Sequence, residues 1–190
     1  MPATNLCRYT NEAIYLRDKS LVDDLVGKTT FTEAMHFLIL GRMPGKTETA
    51  ILDAVLVTLM EHGLTPSATA TRLVAGSAPE AIQSAVAAGL LAVASVFVGT
   101  MEPCAKLLRQ IVEAKDGKAE AARIADEYRA ARKPVPGFGH HLHKPDDPRT
   151  PKLFALAEQA GVQGKYIAAI KMLGGEVDRA AGRHLTINAT

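Results

Sequence analysis

The sequence of 190 residues is poor in cysteine and aromatic residues and has no excess of charge. Its two cysteines, Cys7 and Cys104, lie far apart and match neither a disulfide framework nor a zinc site. Such cysteines are expected to be reduced thiols, which favours a cytoplasmic protein. The 22 basic and 20 acidic residues leave a net charge of +2, so no global field attracts nucleic acid.

Long hydrophobic segments and targeting signals are also missing. The longest apolar run, AVAAGLLAVASVFVG at 85–99, is too short and too rich in small residues to span a bilayer. The first residues, MPATNLCRYTNEAIYLRD, carry polar and charged side chains every few positions, unlike a signal peptide. With 47% hydrophobic residues, the chain can nevertheless bury a core, so we expect a globular protein that does not bind membranes.

The pattern that is present is helical nearly throughout. In TTFTEAMHFLILG, Thr30 and Glu33 have the spacing of a capping box and Gly41 is a C-terminal stop. The segment 79–99 is apolar on all sides and predicts a central buried helix. No segment shows convincing β alternation, so the predicted fold class is all-α. The tail RHLTINAT ends on polar residues without a closing helix, so we expect that the C-terminal part of the fold is missing.

One segment, KPVPGFGHHLHKPDDPR at 133–149, departs from this pattern. Its prolines remove the helical alternative, and Gly137 and Gly139 allow the backbone to approach a ligand closely. The side chains that carry chemistry are three histidines, two cations and an aspartate: His140, His141, His143, Lys144, Arg149 and Asp147. Histidine titrates near neutral pH, lysine suits phosphate and arginine suits carboxylate. The aspartate is expected either to orient the arginine or to cap the following helix.

Three interpretations of this segment remain open from the residues alone. It is a solvated, histidine-rich turn, a metal site, or an anionic substrate site with a histidine acid or base. H-H-x-H on a proline-bound loop lacks the i, i+4 spacing of helical metalloprotease sites, and neither Cys nor Glu lies close in sequence. We therefore expect no metal and favour the substrate site.

PGFGHHLHKPDDPR closely resembles the segment around the second active-site histidine of the citrate synthase superfamily, G-[FY]-G-H-x-[VL]-x-[KR]-x-x-D-P-R. VGKTTFTEAMHFLILGRMPGKTE, LMEHGLTPSATATR and HLTINAT resemble three further family signatures, so the resemblance covers most of the chain. The short form, with GTMEPCA and HHLHKPDDPR, is most similar to the citryl-CoA lyase-like branch.

The resemblance implies an all-α homodimer with a large and a small helical domain and the ligand between them. The implied limits are 1–103 for the first part of the large domain, 104–178 for the small domain and 179–190 for a truncated return. It further implies chemistry on a coenzyme A thioester and a 2-oxo acid, with no permanently bound cofactor.

The resemblance also assigns roles to individual residues. His140 matches the histidine that meets the carbonyl or hydroxyl of the substrate. An imidazolium there is expected to donate to a carbonyl oxygen that becomes an alkoxide, and in cleavage the same group, as neutral imidazole, is expected to receive the hydroxyl proton. His62 and Arg149 match carboxylate-binding positions, and we expect His184 to line the cleft as a substrate contact. Coenzyme A is expected on the backbone of Pro136, Gly137, Phe138, Gly139 and His141 and on Lys144.

Two positions depart from the family pattern. The histidine that holds the thioester enolate aligns with Val98, and the aspartate that exchanges the acetyl methyl proton aligns with Thr190. Valine makes no hydrogen bond, and threonine is no base near neutral pH. Glu102 is the candidate substitute acid; its structural alternative is a first-turn glutamate that favours the helix dipole.

These departures leave two functions open. The first is a lyase that cleaves citryl-CoA, or a related acyl-CoA, to acetyl-CoA and oxaloacetate or another 2-oxo acid, with condensation less favoured. The second is a degenerate homologue that binds coenzyme A or carboxylic acids without turnover. Elsewhere we expect His36 to be a structural histidine and Cys104 a core thiol.

Overall fold

A computed structural model describes residues 4–61, 63–94, 99–140, 142–162 and 164–189. Within these ranges the chain is mostly helical, as the sequence predicts, and no helix there is both long and apolar enough to cross a membrane. The chain divides into two compact units, Met1–Val57 and Thr58–Thr190. The domain limits 1–103, 104–178 and 179–190 stay a prediction.

The first unit begins with a small antiparallel sheet that the sequence pattern does not predict. Its strands are β1 (Cys7–Tyr9), β2 (Ile14–Leu16) and β3 (Lys19–Ser20), in the order β1-β2-β3. Strands of two or three residues are too short for a period-two alternation to appear. A π-helical turn, Leu21–Leu25, follows the sheet.

Helix α1 (Phe31–Leu40) begins and ends where the sequence predicts. Thr30 and Glu33 exchange both hydrogen bonds of the capping box, and Gly41 ends the helix with a left-handed φ of 78°. Helix α2 (Lys46–Leu59) comes next. The sheet is tied to the end of α1 because the Arg17 side chain donates to two carbonyl groups of its last turn.

The second unit contains the adjacent helices α3 (Pro66–Ser77) and α4 (Ile82–Leu91). Gly89 is buried against Thr71, whose hydroxyl occupies the space that a Cβ would need. The prediction of one buried helix over 79–99 is wrong within the described residues. Helix α4 ends earlier, and its large side chains face away from α3 and stay exposed. Residues 95–98 lie outside the described part of the chain.

The main core lies among α5 (Met101–Glu113), α6 (Gly117–Ala130) and α8 (Lys165–Ala181). Helix α7 (Arg149–Gln159) starts directly after the histidine-rich segment. Phe138 from that segment is buried in the same core as Leu173 and Val177. The segment is therefore anchored to the helices by a buried aromatic side chain.

Candidate active site

The glycine-rich part of the loop is held by residues 184–189, called here the C-terminal strap. Phe138 and Ile187 form an antiparallel β-bridge. Beside it, the Gly139 N–H donates to the carbonyl of Thr186 at 2.7 Å. The Thr186 hydroxyl donates to the carbonyl of Pro145. The loop and the strap are therefore fixed to each other on both sides of His140.

The two glycines of G-F-G are required by the backbone. Gly137 has a φ of 87° and Gly139 a φ of 86°, in the left-handed region that favours glycine. A Cβ on Gly137 would lie 2.7 Å from Sγ of Cys104, whereas a Cβ on Gly139 would meet no atom within 4 Å. Gly137 also accepts a hydrogen bond from the Asn188 N–H at 2.9 Å.

Phe138 is buried, with 8% of the residue exposed, and the Cε1 atom of its ring lies 3.4 Å from the position of a Cβ on Gly174 in α8. Only the backbone of Phe138 is therefore available to a ligand. Pro136, Gly137 and Gly139 are half-buried. The role of this backbone in binding coenzyme A stays a prediction.

His140 is half-buried, and its Nδ1 atom accepts two backbone hydrogen bonds. They come from the N–H groups of Leu142, at 3.1 Å, and of His143, at 2.9 Å. The His143 ring lies 4.5 Å from the His140 ring between centroids. Two donors directed at Nδ1 require a lone pair there, so the hydrogen of the neutral imidazole is on Nε2.

This arrangement bears on the protonation of His140. An imidazolium would place a hydrogen on Nδ1 against two N–H groups, and the other neutral tautomer would do the same. In the tautomer that fits these contacts Nε2 carries the hydrogen, so it can act as a donor and has no lone pair to take a proton while the loop keeps this geometry. A donor at Nε2 suits an oxyanion, whereas receipt of the hydroxyl proton by the ring would require these contacts to change. The role of His140 stays a prediction.

Arg149 lies at the start of α7, where Asp147 orients its guanidinium. Asp147 is fully buried and accepts from Nε of Arg149 at 2.9 Å and from Nη2 at 2.7 Å. It also accepts from the backbone N–H of Arg149 at 3.0 Å and of Ala189 at 3.3 Å. Of the two roles that the sequence left open for this aspartate, the structure shows the first, since Asp147 orients the arginine. The N-cap residue of α7 is Pro148, without a side-chain cap, and Asp147 accepts from the first backbone N–H of the helix.

The electrostatics of this pair keep both groups charged. Burial alone would raise the pKa of Asp147, but the hydrogen bonds from the Arg149 side chain and from the two N–H groups hold it well below the usual range. The hydrogen bonds to Asp147 raise the pKa of Arg149, and the negative charge of Glu61 acts in the same direction. Asp147 takes the edge of the guanidinium formed by Nε and Nη2, and Nη1 is not part of this pair.

His184 of the strap lies between two carboxylates. Its Nδ1 is 2.6 Å from Oδ2 of Asp178, and its Nε2 is 2.9 Å from Oδ1 of Asp146. The hydrogen bonds to Asp178 and then to Asp146 raise the pKa of His184 to about 8. Both ring nitrogens are engaged, so a direct substrate contact would require one of these bonds to break.

Glu102 lies in the first turn of α5, and its side chain is 78% exposed. A salt bridge of 2.7 Å joins it to Lys106 one turn later. The hydrogen bond from Lys106 lowers the pKa of Glu102, whereas an acid that works near neutral pH needs a raised pKa. These contacts fit the structural interpretation of Glu102 and give no support to the substitute acid.

The remaining predicted residues divide into two groups. Lys144 is exposed on the loop, where a phosphate can reach it. His62 and His141, predicted to bind the carboxylate and coenzyme A, lie outside the described residues, as do Val98 and Thr190. Their roles stay predictions.

The two structural residues of the sequence analysis have the expected environment. His36 is 7% exposed, and its Nδ1 lies 3.0 Å from the carbonyl of Arg42. Cys104 is half-buried, and burial raises the pKa of its thiol, so it is not an activated nucleophile.

A cavity of about 260 Å³ lies beside the loop, between α5, α7, α8 and the strap. Cys104, Gly137 and Asn188 line it together with apolar side chains such as Leu153. Sequence reasoning did not single out the contacts of Asp146, Asp178 and Thr186. The doubled aspartate of DDPR is a sequence signal that could have pointed to Asp146. Asp178 and Thr186 are brought to the loop only by the fold and have no such signal.

Comparison with known proteins places this geometry in a family. The model described as "Citrate synthase, C-terminal domain" matches residues 46–188. The structure of citryl-CoA lyase from Hydrogenobacter thermophilus is 31% identical with a TM-score of 0.88, and the match covers 100% of this chain and 72% of that one. A search of curated proteins finds no match.

Two ATP citrate lyases share the fold at 18% identity and a TM-score of 0.84, over 98% of this chain and 30% of theirs. One is a mutant from Methanosaeta concilii in complex with (3S)-citryl-CoA. The other is from Methanothrix soehngenii, in complex with citrate and coenzyme A.

Proposed function

We propose, from the premise that this chain belongs to the citrate synthase family, that it cleaves citryl-CoA or a related acyl-CoA. The products would be acetyl-CoA and oxaloacetate or another 2-oxo acid. The observation that carries the proposal is the pair of backbone N–H groups on Nδ1 of His140, which turns Nε2 into a fixed hydrogen-bond donor. The 31% identity to a citryl-CoA lyase supports the same substrate class.

The chemistry follows from what each group can do. In cleavage the tertiary hydroxyl group gives its proton to solvent, and the electrons of the resulting alkoxide form the carbonyl as the C–C bond breaks. The enolate of acetyl-CoA leaves with the electrons of that bond and takes a proton from water. A donor at Nε2 of His140 stabilises the charge on that oxygen. Arg149, oriented by Asp147, would hold a carboxylate of the substrate through its remaining N–H groups. Lys144 and the 136–141 backbone would hold coenzyme A.

The experiment is a lyase assay with citryl-CoA that follows oxaloacetate formation. We expect His140→Ala to lower kcat by about 10²- to 10³-fold, the range for loss of one oxyanion donor. Leu142→Ala is the matched control, because it keeps the backbone N–H on Nδ1 and removes only an exposed side chain. Equal rates for the His140 variant and wild type would refute the role of His140.

A second function is favoured by one observation, the presence of Val98 and Thr190 at two family positions that handle the enolate. In that case the chain binds coenzyme A or a carboxylic acid without turnover. Calorimetry with coenzyme A, run beside the lyase assay, separates the two functions. Binding without any oxaloacetate from wild-type protein would select the second.

We also propose that the protein is a cytoplasmic homodimer. Ile82, Val86 and Leu90 recur every four residues along α4 and are 68%, 52% and 68% exposed, forming an apolar stripe. A second copy of the chain is the partner that the family resemblance implies for such a stripe. The free thiols of Cys7 and Cys104 agree with a reducing compartment.

A further inference from the structure

We propose that His184 is a positioning residue, which holds the loop between His140 and Arg149 by joining Asp146 of that loop to Asp178 of α8. The proposal rests on the proposed function, in which His140 and Arg149 act on one substrate. It differs from the sequence expectation, in which His184 touches the substrate itself.

The geometry of the His184 ring is that of a bridge. Oδ2 of Asp178 accepts a hydrogen bond from Nδ1 of His184 at 2.6 Å. Oδ1 of the same residue accepts from the backbone N–H of Leu185 at 2.7 Å. This double contact fixes the ring on the last turns of α8. Nε2 then points to Oδ1 of Asp146 at 2.9 Å. The His184 ring therefore links helix α8, on one side, to the loop, on the other.

Asp146 is a point of the loop at which a bridge can act on both His140 and Arg149. It lies between His140 and Arg149 and is the direct neighbour of Asp147, which orients the guanidinium. A shift of Asp146 therefore moves Asp147 and changes the separation of His140 from Arg149. Geometry of this kind matters, since a misplacement of about 1 Å in a catalytic group can cost about 10²-fold in rate.

The bridge depends on the proton count of His184. The titratable groups that contact the ring among the described residues are Asp178 from α8 and Asp146 from the loop, and Arg183 precedes it in the chain. With both ring nitrogens protonated, each donates to a carboxylate. The two carboxylates raise the pKa of His184 to about 8. Above this pH the ring loses a proton, and one of its nitrogen atoms then presents a lone pair to a carboxylate instead of a hydrogen. The neighbouring bonds of Thr186 join neutral groups and do not titrate in this range.

The experiment compares His184→Gln and His184→Arg with wild type in pH profiles of kcat and KM. Gln is uncharged and has its two N–H donors on one nitrogen atom, so it cannot replace the ring that donates from two nitrogen atoms to two carboxylates. We expect its kcat to be lower by about tenfold to 10²-fold at all pH values, without the additional fall above pH 8 that wild type shows. Arg keeps its charge and its donors at all pH values, so it should restore kcat and remove the alkaline loss seen in wild type. The KM for citryl-CoA should change less than kcat, because His184 does not touch substrate.

Arg179→Gln is the matched control. Arg179 is an exposed cation on α8 whose side chain pairs with Glu176 and Asp126, and among the described residues it forms no hydrogen bond or ion pair with the loop or the strap. We expect its pH profile to equal that of wild type. Thermal unfolding of each variant checks that a change in kcat is not a loss of folded protein.

A second readout keeps the test independent of the proposed function. The backbone amide signals of Leu142 and His143, which hold His140, are followed by NMR as a function of pH. In wild type they should move with the titration of His184, and in His184→Arg they should not. Absence of lyase activity in wild type would defeat the proposed function alone. The positioning role would be overturned if wild type and His184→Arg showed the same pH dependence of the amide signals and the same fall of kcat above pH 8.

Discussion

The close approach of Gly137 to Cys104 provides a sharp test of the loop geometry. Gly137→Ala and Gly139→Ala place the same methyl group on two residues whose φ angles are 87° and 86°. Only the first methyl group meets a neighbour, the Cys104 Sγ at 2.7 Å. The two variants therefore share the backbone strain and differ in the steric contact.

The magnitudes follow from these two effects. A non-glycine residue in the left-handed region costs about 1–2 kcal/mol, so Gly139→Ala should lower the free energy of unfolding by that amount. Overpacking of a filled site adds about 1–3 kcal/mol, so Gly137→Ala should cost about 2–5 kcal/mol. Cys104→Ala in the Gly137→Ala background removes the sulfur atom and should bring the cost of the alanine close to that at Gly139.

Urea unfolding, followed by circular dichroism, measures these differences for the four proteins and wild type. Cys104→Ala alone supplies the reference for the double variant, so the comparison is a double-mutant cycle. Equal costs at positions 137 and 139, or a cycle without coupling to Cys104, would show that the described approach of the loop to α5 is wrong.

Two further predictions concern stability at low pH and assembly. Asp147→Asn should cost about 3 kcal/mol, because Asp147 is buried while Arg149 keeps some solvent contact. Because folding lowers the pKa of Asp147, its contribution to the free energy of unfolding is fully present above the ordinary carboxyl pKa and is lost as the pH falls from there through the lowered pKa. Asp147→Asn lacks this contribution, so its urea midpoint should fall less on acidification than that of wild type. Val86→Asp on α4 should convert a dimer to a monomer in light scattering, whereas Val22→Asp, at 65% exposure in the first unit, should not; a monomeric wild type would contradict the proposed dimer.

The sequence predicts most of the helical fold because its signals are local. The capping box of Thr30 and Glu33, the stop at Gly41 and the amphipathic pattern of α5 and α6 need only neighbouring residues. The failure at 79–99 has the same cause. Apolar side chains on all sides of a helix predict that it is buried, but they do not indicate whether it is buried by this chain or by another copy.

The candidate site was predictable only in part. The motif identifies His140 and Arg149, but it contains no information on the tautomer of His140, which depends on where the Leu142 and His143 N–H groups point. The bridge through His184 joins residues that are 38 positions apart in one contact. Such pairs are decided by the packing of the strap on the loop, and no periodicity or spacing in the sequence records them.

Cleavage and condensation differ in how the enolate of acetyl-CoA is formed. The replaced positions, Val98 and Thr190, concern the group that deprotonates acetyl-CoA and the group that holds the resulting enolate. Condensation must create that enolate from a weak carbon acid, and water is too poor a base to do so at neutral pH. Cleavage creates it by breaking the C–C bond, after which water is a sufficient acid to return the proton. Under the proposed function, a donor at His140 and the guanidinium of Arg149 would therefore serve cleavage even where the carbon base is replaced.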